Sequence, residues 1–528
     1  MKMRGLITSI LTALAITSLQ ANAAHASTPK VVVSVNIDQL STELIEAYWS
    51  LYREDGFKKL WKEGLVYRDT YYPLLQRDRA NTTATLNTGA LPAVHGIVSK
   101  QWLDLSTQQA KSCIEDPQFM GNYTSLSSSA RNLLSSTLTD ELKVASHGKA
   151  LVYAIAPEAD QAILSAGHAA DAALWFNQET GQWCGTTYYK EFPWWASKHN
   201  EQNPIYYRDS YLEWNPLLSF EKYISSHNGR RKTFRHSLTS GGKDLYSRVV
   251  SSPMINEEIV LLARQLFEQS GVGEDDITDF VQLSFYAGTA LGTNEGASLE
   301  SQDTYIRLDR CIADLLNIVD SKVGLSNAIV YLTSTGYTEG QAGNILEKYN
   351  IPTGEFHLNR CSALLNLYLM AFYGEGQYVE AYYDQQIYLN HKLIEDKKLD
   401  LIEVQKKSAL FLSQFSGVNE VYYAHDLILG AWGPTKELIR NTYHKSNSGD
   451  LLIEVLPGWQ IIENGKVVKT INYSAILAPT VFLGKPFPAK VINSPIQAEA
   501  IAPTIAQTIR IRAPNASRAK AIDELLIN

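Results

Sequence analysis

Cysteine, histidine and excess positive charge are all scarce in this 528-residue chain, and each shortage removes a class of function. The four cysteines (Cys113, Cys184, Cys311 and Cys361) form no CxxC pair and no metal-ligand spacing, which excludes a cysteine-based zinc module and a thioredoxin-like redox motif. In an exported protein they admit three disulfide pairings. A reading as small buried apolar residues stands equally, since Cys311 and Cys361 fall in helical patterns. Histidine stops at His444, with none from Lys445 to the C-terminus. Lys and Arg number 47 against 55 Asp and Glu, and the net charge of −8 leaves no basic footprint for nucleic acid or an anionic membrane surface. Beyond the N-terminus no run of ~20 apolar residues exists, so the mature chain has no transmembrane helix. Internal repeats and low-complexity linkers are also missing.

What is present begins with a targeting segment. Lys2 and Arg4 precede the apolar stretch GLITSILTALAITSL, and ANA and AHA supply small-residue cleavage sites. Residues 1–26 read as a signal peptide, and the mature chain reads as exported to the periplasm or cell surface.

The mature sequence alternates strand and helix patterns. PKVVVSVNIDQL is a continuous β-branched run of the kind buried on both faces of a parallel sheet, and it ends at Asp38. ALVYAIAP (150–157), DFVQLSFYAG (279–288) and NAIVYLTSTGY (327–337) repeat the pattern. Amphipathic stretches such as STELIEAYWSLYREDGFKKLWKEG and DTYIRLDRCIADLLNIVDSKV lie between them. The alternation predicts an α/β fold: a doubly wound, mostly parallel sheet with helices on both faces, in one domain spanning 27–528. Two regions break it, about 180–275, rich in aromatic residues, and about 340–450. Both read as insertions. Catalytic groups in such sheets gather beyond the carboxyl ends of the strands, which directs attention to Asp38 and to the loops after Phe285 and Leu332.

NIDQL, DGFKKLWKEGLVYRDTYYP, TLNTGALPAVHGI, LTDELKVA, AILSAGHAADAALWF, NRCSALLNLYLMAF and SGDLLIEVLPGW run in an order that resembles the alkaline phosphatase superfamily. The resemblance is greatest to the exported phosphate-irrepressible alkaline phosphatases of Bacteroidota, which are type I phosphodiesterase/nucleotide pyrophosphatase-like. It implies two zinc ions about 4 Å apart that clamp an in-line phosphoryl transfer. It also implies a Thr or Ser nucleophile at a helix N-terminus, three carboxylate and three histidine ligands, and a Lys and an Arg that bind phosphate.

Carried over position by position, most of that machinery is replaced. Asp38 keeps the first metal carboxylate. Arg79 occupies the nucleophile position, where a permanently protonated guanidinium cannot attack phosphorus. Glu158 and Asp160 stand at the two phosphate-binding cations. Thr289 and Thr293 take one Asp–His pair, and Thr335 and Gly336 the other. A lone carboxylate cannot hold zinc, so no metal is expected. A nucleophile shifted to Thr82, Thr83 or Thr85 would sit inside the helix, away from the free N–H groups at its start. His95, His168 and Asp171 read as structural.

The sequence therefore predicts a pseudoenzyme: no catalytic residue, no substrate-binding residue, no cofactor, and an Asp38–Arg79 ion pair in place of the metal. Arg77 would fill that role if the register slips by two. The remaining role is binding or scaffolding, with a protein partner first and a glycan or lipid-linked ligand second. The alternative is an active metal-dependent phosphomonoesterase or phosphodiesterase with a remodelled site, drawing ligands such as His357 or His425 to Asp38.

Overall fold

The computed structural model describes residues 28–205, 212–224, 233–239, 242–288, 291, 298–339, 350–431, 433–463, 465–471 and 475–522. The signal-peptide reading of 1–26 and the positions Thr289 and Thr293 lie outside the described residues.

A ten-stranded mixed sheet forms the centre. Its middle strand is Val31–Asp38, buried at all eight positions. That strand runs parallel to Asp279–Tyr286 on one side and Ala328–Ser334 on the other. Val152–Ala156 and Ala172–Phe176 extend the parallel series. Antiparallel strands, among them Thr480–Leu483 and Trp183–Thr186, complete the flanks. Alternation along the middle strand explains its composition. Val31, Val33, Val35 and Ile37 enter one apolar core with the helices Met254–Gln269 and Leu299–Lys322, while Val32 enters the core on the other face. A strand covered on both sides needs apolar residues on both sides.

The register brings three chain segments to one edge. Asp38 stands beside Tyr286, and Ile37 beside Ser334, so the ends of the three central strands are level.

The aromatic-rich stretch is packed in large part, although Trp194 and Phe220 are exposed. Trp183, Trp195 and Trp214 are fully buried, and Trp183–Thr186 belongs to the main sheet. Residues 355–471 build a second lobe with its own core, which includes Leu365, Leu369, Ile387 and Ile453. This lobe runs past residue 450 because Leu451–Val455 lies between two strands of its four-stranded sheet, and Gln460–Glu463 between two of a three-stranded one. Cys113, Cys184, Cys311 and Cys361 are free and buried. Among the described residues no helix is long and apolar enough to cross a membrane.

Candidate functional site

The helix Arg79–Thr88 starts at the carboxyl edge of the sheet. Asp78 caps it, accepting from the Asn81 amide at 2.8 Å while the Asn81 side chain accepts from the Asp78 amide at 3.1 Å. This reciprocal box satisfies two of the donors a helix start leaves open. Past Arg79 every residue of the helix is buried. Thr82, Thr85 and Thr88 donate their hydroxyls to the carbonyls of Asp78, Asn81 and Ala84, at 2.7, 2.8 and 2.7 Å. They face their own backbone inside the helix, as structural hydroxyls do.

Arg79 occupies the first helical position, and its side chain crosses to the N-terminus of the helix Ala159–Ala166. Its Nε and Nη2 lie 3.1 to 3.2 Å from the Asp160 carboxylate oxygens. Glu158 is 3.8 Å from Nη2. Burial opposes both charges, but the mutual attraction wins: Asp160 is held below the usual carboxylate range, and Arg79 is held protonated by Asp160, Glu158 and Asp38 in that order. The expected Asp38–Arg79 pair is corrected here. Arg79 takes Asp160 as its direct partner, because Asp160 offers a forked carboxylate at hydrogen-bond range. Arg77 does not substitute for it, since its guanidinium donates to the carbonyls of Tyr72, Leu74 and Gly336 at 2.9, 3.2 and 3.0 Å.

Asp38 takes a hydroxyl partner instead. Thr335 donates to Oδ1 at 2.9 Å. The Thr335 oxygen in turn accepts from the Gln39 amide at 3.0 Å, which holds Gln39 in a left-handed conformation with φ 62°. Burial raises the Asp38 pKa to about 6 against the opposing effects of Arg79 and Thr335. A carboxyl that binds its proton more tightly folded than unfolded weakens the fold as pH rises from about 4 through 6. Asp38→Asn is therefore expected to stabilise the protein by roughly 2–3 kcal/mol at pH 8 and by nothing near pH 4, since a shift of one pKa unit is about 1.4 kcal/mol. Urea denaturation of both proteins at the two pH values checks this. An equal difference at both would show that the effect is packing, not ionisation.

The other residues singled out by the sequence are dispersed. The imidazole of His95 is buried, accepts from the Ile97 amide at 3.1 Å and lies 3.3 Å from the Thr85 hydroxyl, and burial lowers its pKa to about 3. His168 lies 3.2 Å from the Ser135 carbonyl. Asp171 pairs with Lys143 and Lys190 and accepts from the Val152 amide. His357 pairs with Glu355, and His425 lines a cavity of the second lobe, so neither joins Asp38. Sequence reasoning missed Lys100, whose charge acts on Asp160, and Tyr72 and Tyr337, whose rings close around the strand ends. Nothing in their local sequence distinguishes them from ordinary core or surface residues.

The family described as type I phosphodiesterase / nucleotide pyrophosphatase matches residues 32–474. The chain belongs to that family. Among its relatives in this phosphoesterase family, alkaline phosphatase PafA of Elizabethkingia meningoseptica is 28% identical over 519 residues, covering 94% of each chain. Alkaline phosphatase PhoV of Synechococcus elongatus is 28% identical over 520 residues, covering 94% of this chain and 93% of its own. The crystal structure of wild-type PafA superposes with a TM-score of 0.80 over 94% of this chain and 99% of that one. The family and the alkaline phosphatase-like fold anticipated from the motifs are thus established.

The two-zinc centre implied by the resemblance does not fit the groups observed. Asp38 is a single carboxylate that accepts from the Thr335 hydroxyl, Thr335 and Gly336 offer no zinc donor, and the Arg79 cation acts on the carboxylate. Among the described residues no group of three or more His, Cys, Asp or Glu is placed to hold a metal.

Proposed function

We propose that this chain is an exported, non-catalytic member of the phosphodiesterase/nucleotide pyrophosphatase family that acts by binding. The observation that supports this most is the Arg79–Asp160 ion pair. A phosphate subsite needs uncompensated positive charge, and here the guanidinium is already neutralised by Asp160 with Glu158 close behind. The nucleophile position carries no nucleophile, and the helix start that would stabilise a phosphoryl group is capped by Asp78.

The relatives' names favour a second reading: a phosphomonoesterase or phosphodiesterase with a remodelled site. Zinc content and turnover separate the two. The purified mature protein, equilibrated with excess zinc and desalted, is expected to hold far less than one zinc per chain. It is expected to show no chelator-sensitive hydrolysis of 4-nitrophenyl phosphate or bis(4-nitrophenyl) phosphate. Two tightly held zincs with chelator-sensitive turnover would replace the first reading by the second.

A further inference from the structure

A cavity of about 700 Å³ lies away from Asp38, between the hairpin Gln101–Asp104/Gln109–Ser112 and the second lobe. Its floor is a built polar network. The Asp450 carboxylate is nearly buried and accepts from the Leu389 amide, the Gln405 side chain and His391 Nε2, each at 2.8 Å. This fixes the His391 imidazole, which is itself largely exposed in the cavity. The loop 445–449 forms one wall and is tied down at both ends: the Asn447 side chain donates to the Gly96 carbonyl at 2.7 Å, and the Gly449 amide to the Gln386 side chain at 2.6 Å. Such a site is preformed, and its volume suits a ligand of a few rings.

The lining mixes three kinds of group. Leu105 and Ile428 give apolar faces, Lys392 and Lys445 give exposed cations, and Asp104 and Glu380 give acceptors. A lipid or other apolar ligand would desolvate the charges without pairing them. An inorganic anion would fill a small part of the space and leave the carboxylates facing it. A ligand with ring faces, many hydroxyls and an acid group answers all three: C–H faces on the apolar wall, hydroxyls donating to the carboxylates, and the acid on the lysines.

We propose that this cavity binds an acidic saccharide, a short uronic-acid oligosaccharide by chemical class. The site shares no residue with the Arg79–Asp160 pair, so the proposal stands whether or not the chain turns over phosphoesters.

Titration calorimetry of the full mature chain tests it, with tri-galacturonate as probe and maltotriose as the neutral comparison. Tri-galacturonate is expected to bind at least about tenfold more tightly than maltotriose. Reversing both exposed lysines (Lys392→Glu with Lys445→Glu) is expected to weaken it by about tenfold or more, while Lys490→Glu on the far sheet edge leaves it unchanged. Should the double variant unfold early by circular dichroism, Lys445→Ala replaces it. No heat with either sugar at millimolar concentration, equal binding of the two sugars, or indifference to the lysine changes would each overturn the proposal. Zinc content and phosphoester turnover are unaffected by any of these outcomes.

Discussion

Asp160→Asn is expected to cost about 3–5 kcal/mol of folding stability, the range for removing one partner of a buried ion pair. Its side chain is 3% exposed and that of Arg79 15%, so water cannot replace the lost carboxylate. Glu158, at 3.8 Å and partly exposed, compensates only in part. Arg79→Met should cost less. The abandoned Asp160 still accepts from the Gln161 amide at 3.0 Å, lies in the first turn of a helix, and can take up a proton, whereas a guanidinium cannot lose one. Removing both charges together (Arg79→Met with Asp160→Leu) should recover most of the loss, since a buried pair replaced by apolar groups of similar size is often neutral. The double-mutant cycle, closed with the single Asp160→Leu variant and read by urea denaturation, is expected to give a coupling of about 2–3 kcal/mol. Simple additivity of the two single changes would show that Arg79 and Asp160 do not hold each other in solution.

That pair explains how the charges at 79 and 160 coexist. Arg79 alone at the start of the helix would be a largely buried cation, and Asp160 alone would be a buried anion. Together they close an electrostatic circuit across the sheet edge, between two helices whose starts face each other. The ion pair is thus a structural element that joins the two helices.

The fold was legible in the sequence wherever burial imposes composition. VVVSVNID could only be a strand covered on both faces, and the structure buries every residue of it. Register was harder. The stretch 41–64 reads as one continuous helical pattern, yet it breaks into Thr42–Ala47, a short 3-10 turn and Phe57–Glu63. The cause is distant in sequence: the Asp309 carboxylate accepts from the amides of Arg53 and Phe57, at 2.9 and 2.8 Å, and a side chain at Gly56 would meet the Asp309 carbonyl at 2.6 Å. The site shows the same division. That Arg79 stands at the nucleophile position is what the family resemblance implies. Its partner is not implied, because Asp38 and Asp160 are both acidic residues at the sheet's carboxyl edge, and only the direction of the side chain chooses between them. The hydroxyl that Asp38 accepts from belongs to Thr335, about three hundred positions away along the chain, a pairing that no local pattern encodes.

Gly336→Ala is expected to be nearly as damaging, and it probes whether the second metal position is closed. Gly336 adopts φ +72°, which costs an L-residue about 1–2 kcal/mol. A Cβ there would lie 2.5 Å from Cε2 of Tyr72. Tyr72 is fully buried and its hydroxyl donates to the Ser334 carbonyl, while Arg77 holds the Gly336 carbonyl at 3.0 Å. Neither the ring nor the loop has room to withdraw, so overpacking adds about 1–3 kcal/mol and the total loss is about 2–5 kcal/mol. Thermal and urea unfolding measure it directly. The resemblance places a histidine ligand at this position, and an imidazole is far larger than a methyl group. If the methyl already destabilises to this degree, a histidine at this position would require displacing Tyr72 as well, and the packing itself disfavours a ligand here. A neutral Gly336→Ala would mean that the Tyr72 ring swings aside at little cost. The space beside Asp38 would then be open to a ligand, and the remodelled-enzyme reading would gain the room it lacks in this structure.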